Sequence, residues 1–169
     1  MRKIIYLVLF LFITAQRPVQ AYVAENSAQM KKGEDTKTDT RKLILKSFLD
    51  KKQSPLTNYT EKIIQESDKN NLDWRLIPAI TGVESSFGKR IPYNSYNAYG
   101  WANGNYSFNS WDNSIEIVSD TLNNKYVKRG ARKITSIAKR YAPPSSTWAN
   151  KVIYFVNQID PSGLAFAID

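Results

Sequence analysis

Asp73-Trp74-Arg75-Leu76-Ile77-Pro78-Ala79-Ile80-Thr81-Gly82-Val83-Glu84-Ser85-Ser86-Phe87-Gly88-Lys89 is an apolar helical segment that carries one acid near its C-terminal end. Desolvation disfavours the ionised form of a carboxyl group among apolar neighbours, which suits Glu84 to general-acid work near neutral pH. The plain alternative is a surface glutamate on an amphipathic helix. Asp73 is the expected N-cap of this helix and Gly88 its stop. Pro78, inside the segment, predicts either a kink or a loose first turn.

Downstream lie Tyr93-Asn94-Ser95-Tyr96-Asn97-Ala98-Tyr99-Gly100-Trp101, rich in rings and amides. Residues 90–109 show little periodicity and read as an ordered loop, with a short hairpin expected around Asn103-Gly104. Rings such as Tyr96, Tyr99 and Trp101 can stack on sugar faces, and Asn97 can hold an acetamido group or fix the loop; each can equally pack the loop onto the domain.

Around this centre the apolar spacing is helical. Leu43, Ile44, Leu45, Phe48 and Leu49 predict a first helix that starts near Thr40 and is ended by Gln53-Ser54-Pro55. Tyr59, Ile63 and Ile64 mark a second, from about Asn58 to Asn70. A fourth runs from the cap Ser110 to about Tyr126, with Trp111, Ile115, Val118 and Leu122 on one face. Ile134, Ile137 and Ala138 make a short helix up to Tyr141, which Pro143-Pro144 breaks. A last helix opens at Ser146 or Thr147 and carries Trp148, Val152, Phe155, Val156 and Ile159. Strand signals are sparse. The fold class is therefore all-α, one domain of about five to seven helices over residues 40–160 with one long aromatic-rich loop, and a tail at 161–169.

Glu84-Ser85-Ser86-Phe87-Gly88-Lys89, then Asn97-Ala98-Tyr99-Gly100-Trp101, then Ala138-Lys139-Arg140-Tyr141-Ala142-Pro143-Pro144 occur in an order, spacing and helical setting that resembles the lysozyme-like peptidoglycan-cleaving families, the glucosaminidases and soluble lytic transglycosylases. The likeness runs through most of the segment from Asp73 to Ile159. It implies a lysozyme-like fold and an enzyme that cuts β-1,4 bonds between N-acetylglucosamine and N-acetylmuramic acid. It makes Glu84 the catalytic acid and gives Tyr141 the place of a tyrosine that orients the acid or the departing sugar. A core tyrosine with its hydroxyl satisfied at a helix end is the other reading of Tyr141. The likeness also sets Asn97, Tyr99 and Gly100 on the wall of a sugar cleft. Ser85, which supports Glu84, joins Tyr96, Asn97, Tyr99 and Trp101 as the expected substrate-binding set. Pro143-Pro144 depart from the asparagine and glycine that typically follow this tyrosine in the transglycosylases, which leaves hydrolysis and 1,6-anhydro product formation both open.

Glycosidic cleavage commonly divides its work between two carboxyl groups. Asp112, Glu116 and Asp120 are the nearby acids, and Asp112 equally suits the positive end of a helix. The transglycosylase branch needs one glutamate only, with help from the substrate's own N-acetyl group.

The 169 residues contain no histidine and no cysteine, which removes Ser-His-Asp and Cys-His nucleophiles and zinc sites built on those side chains. No cofactor and no metal are expected. Arg2 and Lys3, the apolar run Ile4 to Ile13 and the small residues of Val19-Gln20-Ala21 read as a signal peptide over 1–21, since the run falls short of the ~20 residues that cross a bilayer. Residues 22–39 are polar and read as a flexible linker. The net charge of +9 falls to +6 once Arg2, Lys3 and Arg17 are removed. The expected location is therefore secreted or at the cell envelope. The expected partners are peptidoglycan strands and anionic envelope polymers, with no nucleic acid, and the expected state is a monomer. A non-catalytic wall-binding or assembly module of the same fold is the alternative.

Overall fold

The computed structural model describes residues 39–161. The expected signal segment, all of the linker but Asp39, and the tail beyond Pro161 lie outside them. Within the described residues there are six α-helices and no strand: α1 Thr40–Lys51, α2 Thr60–Lys69, α3 Leu76–Ser85, α4 Trp111–Thr121, α5 Ile134–Tyr141 and α6 Trp148–Ile159. The all-α expectation holds, and the hairpin expected at Asn103-Gly104 does not form. Trp101–Gly104 is instead a 3-10 turn in which Ala102 and Asn103 are left-handed.

Asp39 caps α1, its carboxylate accepting the Arg41 N–H at 3.0 Å. Leu45, Phe48 and Leu49 are buried, whereas Leu43 is 56% exposed and Ile44 36%. Those last two fall outside the buried stripe because a helix of 3.6 residues per turn offers the core only one face. A 3-10 turn, Pro55–Tyr59, leads directly into α2.

The glutamate helix opens two residues later than the sequence suggests. Asp73 caps the turn before it, accepting the Arg75 N–H at 2.9 Å, and the first helical residue is Leu76. Pro78 thus falls in the first turn, where its missing N–H has no intrahelical partner to lose, and no kink is needed.

Helices α3 and α6 pack antiparallel, fastened at both ends. At the N-terminal end of α3 the buried guanidinium of Arg75 donates Nη1 to the Asp160 carbonyl at 2.7 Å, while its Nη2 pairs with Asp73 at 2.6 Å. At the other end of α3, Glu84 meets Trp148 in the first turn of α6. Between them lies Gly82. A Cβ there would stand 2.7 Å from the Phe87 ring and 2.9 Å from Phe155. Phe87 reaches this place because Ser86, Phe87 and Gly88 are all left-handed, which folds the chain back against the helix it has just left. Its ring is packed edge-on by Phe48 at 5.4 Å and Phe155 at 5.0 Å. Gly82→Ala gains about 1 kcal/mol of helix propensity but overpacks this ring cluster at about 1–3 kcal/mol. The two terms leave a net loss of about 0–2 kcal/mol, and the 2.7 Å approach to the Phe87 ring puts our expectation at the upper end, about 2 kcal/mol, in urea unfolding; an unchanged midpoint would show that the rings yield freely.

Candidate active site

The C-terminal turn of α3, the 3-10 turn Trp101–Gly104, the end of α4 and the segment after α5 surround an open cleft of about 580 Å³. Glu84 is in its wall, with Gly100, Trp101, Lys125, Tyr126, Tyr141 and the pair Pro143-Pro144 among the other lining residues. Glu84 is the only carboxylate among the described residues lining it.

The Glu84 side chain is held from two directions. Its Oε1 accepts the indole N–H of Trp148 at 2.6 Å. Its Oε2 lies against the backbone of Gly100, where a Cβ would stand only 2.7 Å away, and Gly100 is itself left-handed with φ +70°. Both the space and the backbone angle demand glycine at that position. Burial pushes the Glu84 carboxyl above its ordinary pKa, and the Trp148 hydrogen bond, which favours the ionised form, only partly offsets it.

A second buried glutamate makes the contrast. Burial pushes Glu66 up as well, but the ammonium groups of Lys62 at 3.0 Å and Lys69 at 3.2 Å outweigh it and hold the carboxyl below its ordinary range. Glu84 has no such cation. A carboxyl whose pKa is raised by desolvation in a cleft wall suits proton donation to a ligand, whereas a carboxylate held ionised by two lysines does not.

Tyr141 lies beside Glu84 in the cleft. Its hydroxyl donates to the Tyr99 carbonyl at 2.6 Å and its ring stacks on Trp148 at 5.0 Å. Burial, and then the charge of Glu84, pushes this phenol well above its ordinary pKa, so it stays a neutral donor. Tyr141 thereby links the loop that carries Gly100 to the indole that holds the acid.

The rest of the expected substrate-binding set divides. Trp101 lines the cleft, half-buried, with Tyr106 and Phe108 packed on its ring. Tyr99 is also among the lining residues, and it is fully buried, its ring packed edge-on against Phe108. Ser85, Tyr96 and Asn97 are not among the lining residues. The buried Ser85 hydroxyl donates to the Ala98 carbonyl at 2.8 Å and accepts the Gly88 N–H at 2.9 Å, tying the helix end to the loop. Asn97 staples the loop internally: its amide donates to the Trp101 and Tyr106 carbonyls, each at 2.9 Å, and its carbonyl accepts the Trp101 N–H at 3.1 Å. Tyr96 packs edge-on against Trp111 at 5.5 Å. The contacts of these three that the structure shows are within the loop and its supports.

Asp112, Glu116 and Asp120 also stay outside the cleft. Glu116 faces Lys69 at 3.7 Å and Asp120 accepts from Asn124 at 2.7 Å. Two residues that the sequence reading did not assign to the site belong to it. Trp148 reads as a core residue of α6, and its contact with Glu84 spans 64 positions. Lys125 is delivered by a single π turn, Leu122–Tyr126, which widens the end of α4 and places Lys125 and Tyr126 on the cleft wall.

Comparison with protein-family models, with curated protein sequences and with solved structures gives no match.

Proposed function

We propose that this chain is a lysozyme-like peptidoglycan glycosidase, exported to the cell envelope, that cuts the β-1,4 bonds between N-acetylglucosamine and N-acetylmuramic acid with Glu84 as general acid. The observation that carries this reading is the setting of Glu84: a carboxyl raised by burial, fixed by an indole N–H and a glycine backbone, in the wall of an open aromatic cleft. A glycan strand lying across Trp101 and Tyr126 would bring a glycosidic oxygen to the acid, which protonates it as the bond breaks. Positive charge then develops on the sugar ring. With no second carboxylate among the described lining residues, the substrate's N-acetyl group is the internal group placed to stabilise that charge. In the 1,6-anhydro route the C6 hydroxyl of the same sugar then bonds to C1 and gives its proton to the Glu84 carboxylate left by the first step; a water in its place would give a reducing end.

Mass spectrometry of the soluble fragments released from insoluble peptidoglycan tests the reading. We expect the parent chain to release muropeptides with 1,6-anhydro ends and Glu84→Gln to release none. Reducing ends would keep the glycosidase and change its chemistry to hydrolysis. Release by neither protein, on walls of several types, would overturn the enzyme reading in favour of a wall-binding module.

A further inference from the structure

Charge is divided along this chain in a way that bears on the same cleft. From Asp39 to Asp120 there are ten acids and ten lysines or arginines, so that stretch is neutral. From Thr121 to Ile159 there are eight lysines or arginines and no acid at all. This acid-free stretch supplies one whole wall of the cleft, from Thr121 and Lys125 to Pro144. None of its cations is in any of the ion pairs formed among the described residues.

Within that wall the cations are not equivalent. Arg140 donates to the carbonyls of Arg129 at 3.1 Å and Lys125 at 3.5 Å, which pins the backbone of the widened turn. Lys128 donates to the Asn124 side chain at 2.8 Å. Lys125 is an exposed residue of the cleft lining, and its ammonium forms no hydrogen bond or ion pair to any described residue. Nor is it among the groups that act on the Glu84 carboxyl. Acid and ammonium therefore share one cleft without neutralising each other.

We propose that Lys125 is the specificity residue of this cleft and pairs with a carboxylate on the glycan, so that the preferred ligand is a strand with free carboxyl groups on its lactyl or peptide substituents. The inference rests on the glycosidase reading for the identity of the ligand. Lys125 is the fixed point of recognition, and the remaining cations of the wall raise the local concentration of an anionic strand without choosing its register.

The test measures affinity by co-sedimentation with insoluble peptidoglycan, either unmodified or with its carboxyl groups converted to methylamides, and measures turnover separately on the same materials. For the parent we expect amidation to weaken binding about tenfold, the scale of one charge-assisted hydrogen bond. Lys125→Gln should bind unmodified wall about tenfold more weakly and show no further loss on amidation. Lys151→Gln makes the same change of charge on α6, away from this cleft, and should keep the discrimination. Equal effects of the two substitutions, or a Lys125→Gln variant that still prefers the unmodified wall, would overturn the assignment. The glycosidase reading fails separately, by absence of turnover, and leaves the binding comparison decisive.

Discussion

Glu84→Gln will lower turnover on peptidoglycan by about 10²–10⁴-fold, the usual worth of a positioned general acid. The amide keeps the shape of the side chain, and its carbonyl can still accept the Trp148 N–H, so the loss will report the missing proton and not a collapsed cleft. In the proposed role the working form is the protonated acid, so parent activity will fall as pH rises through the raised Glu84 pKa. That basic limb will lie above the ordinary carboxyl range, and the residual rate of the variant will lack it. The Glu84 contribution to stability falls with rising pH as well. The folded state holds the Glu84 proton more tightly than the unfolded chain does, so the group's contribution is fully present below the ordinary carboxyl pKa and is lost as pH rises through the raised value. Glu84→Gln, which cannot ionise, will therefore unfold at a higher temperature than the parent at neutral pH, and the gap will close in acid. A variant that loses both activity and stability at neutral pH would mean that Glu84 is a structural residue.

The second large effect falls at the other end of the same helix pair. Arg75 is 2% exposed, and its guanidinium joins Asp73 in a bidentate contact, Nε at 2.9 Å and Nη2 at 2.6 Å, while Nη1 reaches the Asp160 carbonyl at 2.7 Å. Arg75→Met strands the Asp73 carboxylate, which is 12% exposed, and takes the Nη1 donor away from that carbonyl. Breaking a buried pair by removing one member costs about 3–5 kcal/mol. For a domain of this size that is about 10–20 °C in Tm. The double variant Asp73→Asn, Arg75→Met removes the stranded charge as well and should recover part of the loss, since an uncharged side chain is cheaper to bury than an unpaired one. Calorimetry of the two variants decides it: a single variant within about 1 kcal/mol of the parent would show that the cluster is a bystander to the α3–α6 packing.

Repetition along the chain decides how much of this architecture can be read in advance. Ile115, Val118 and Leu122, or Val152, Val156 and Ile159, mark one face of a helix by spacing alone, and all of them are buried. Glu84 stands out for a related reason, as the single acid in an apolar run. The loop has no such rule. Whether Tyr96, Asn97 and Tyr99 face a ligand or each other depends on the left-handed residues Asn94, Tyr96 and Gly100, whose backbone angles local propensity does not set. Trp148 was invisible as a site residue because its partner is 64 positions away, and tertiary packing alone joins them. Lys125 depended on one widened turn at the end of α4; a helix continued with ordinary spacing would rotate it by a different angle about the axis.

The Trp148–Glu84 contact also makes the molecule its own indicator. An indole N–H bound to a carboxylate and one bound to a neutral acid are different chromophore environments, so the emission of Trp148 will change as Glu84 takes up its proton. The protein has four tryptophans, and of the described ring nitrogens that of Trp148 donates to a titrating side chain. Subtracting the pH titration of the Glu84→Gln protein from that of the parent leaves the signal of this one pair. The protonation state of the proposed acid can thus be followed by fluorescence with no substrate present, and followed again as a strand enters the cleft and displaces its water.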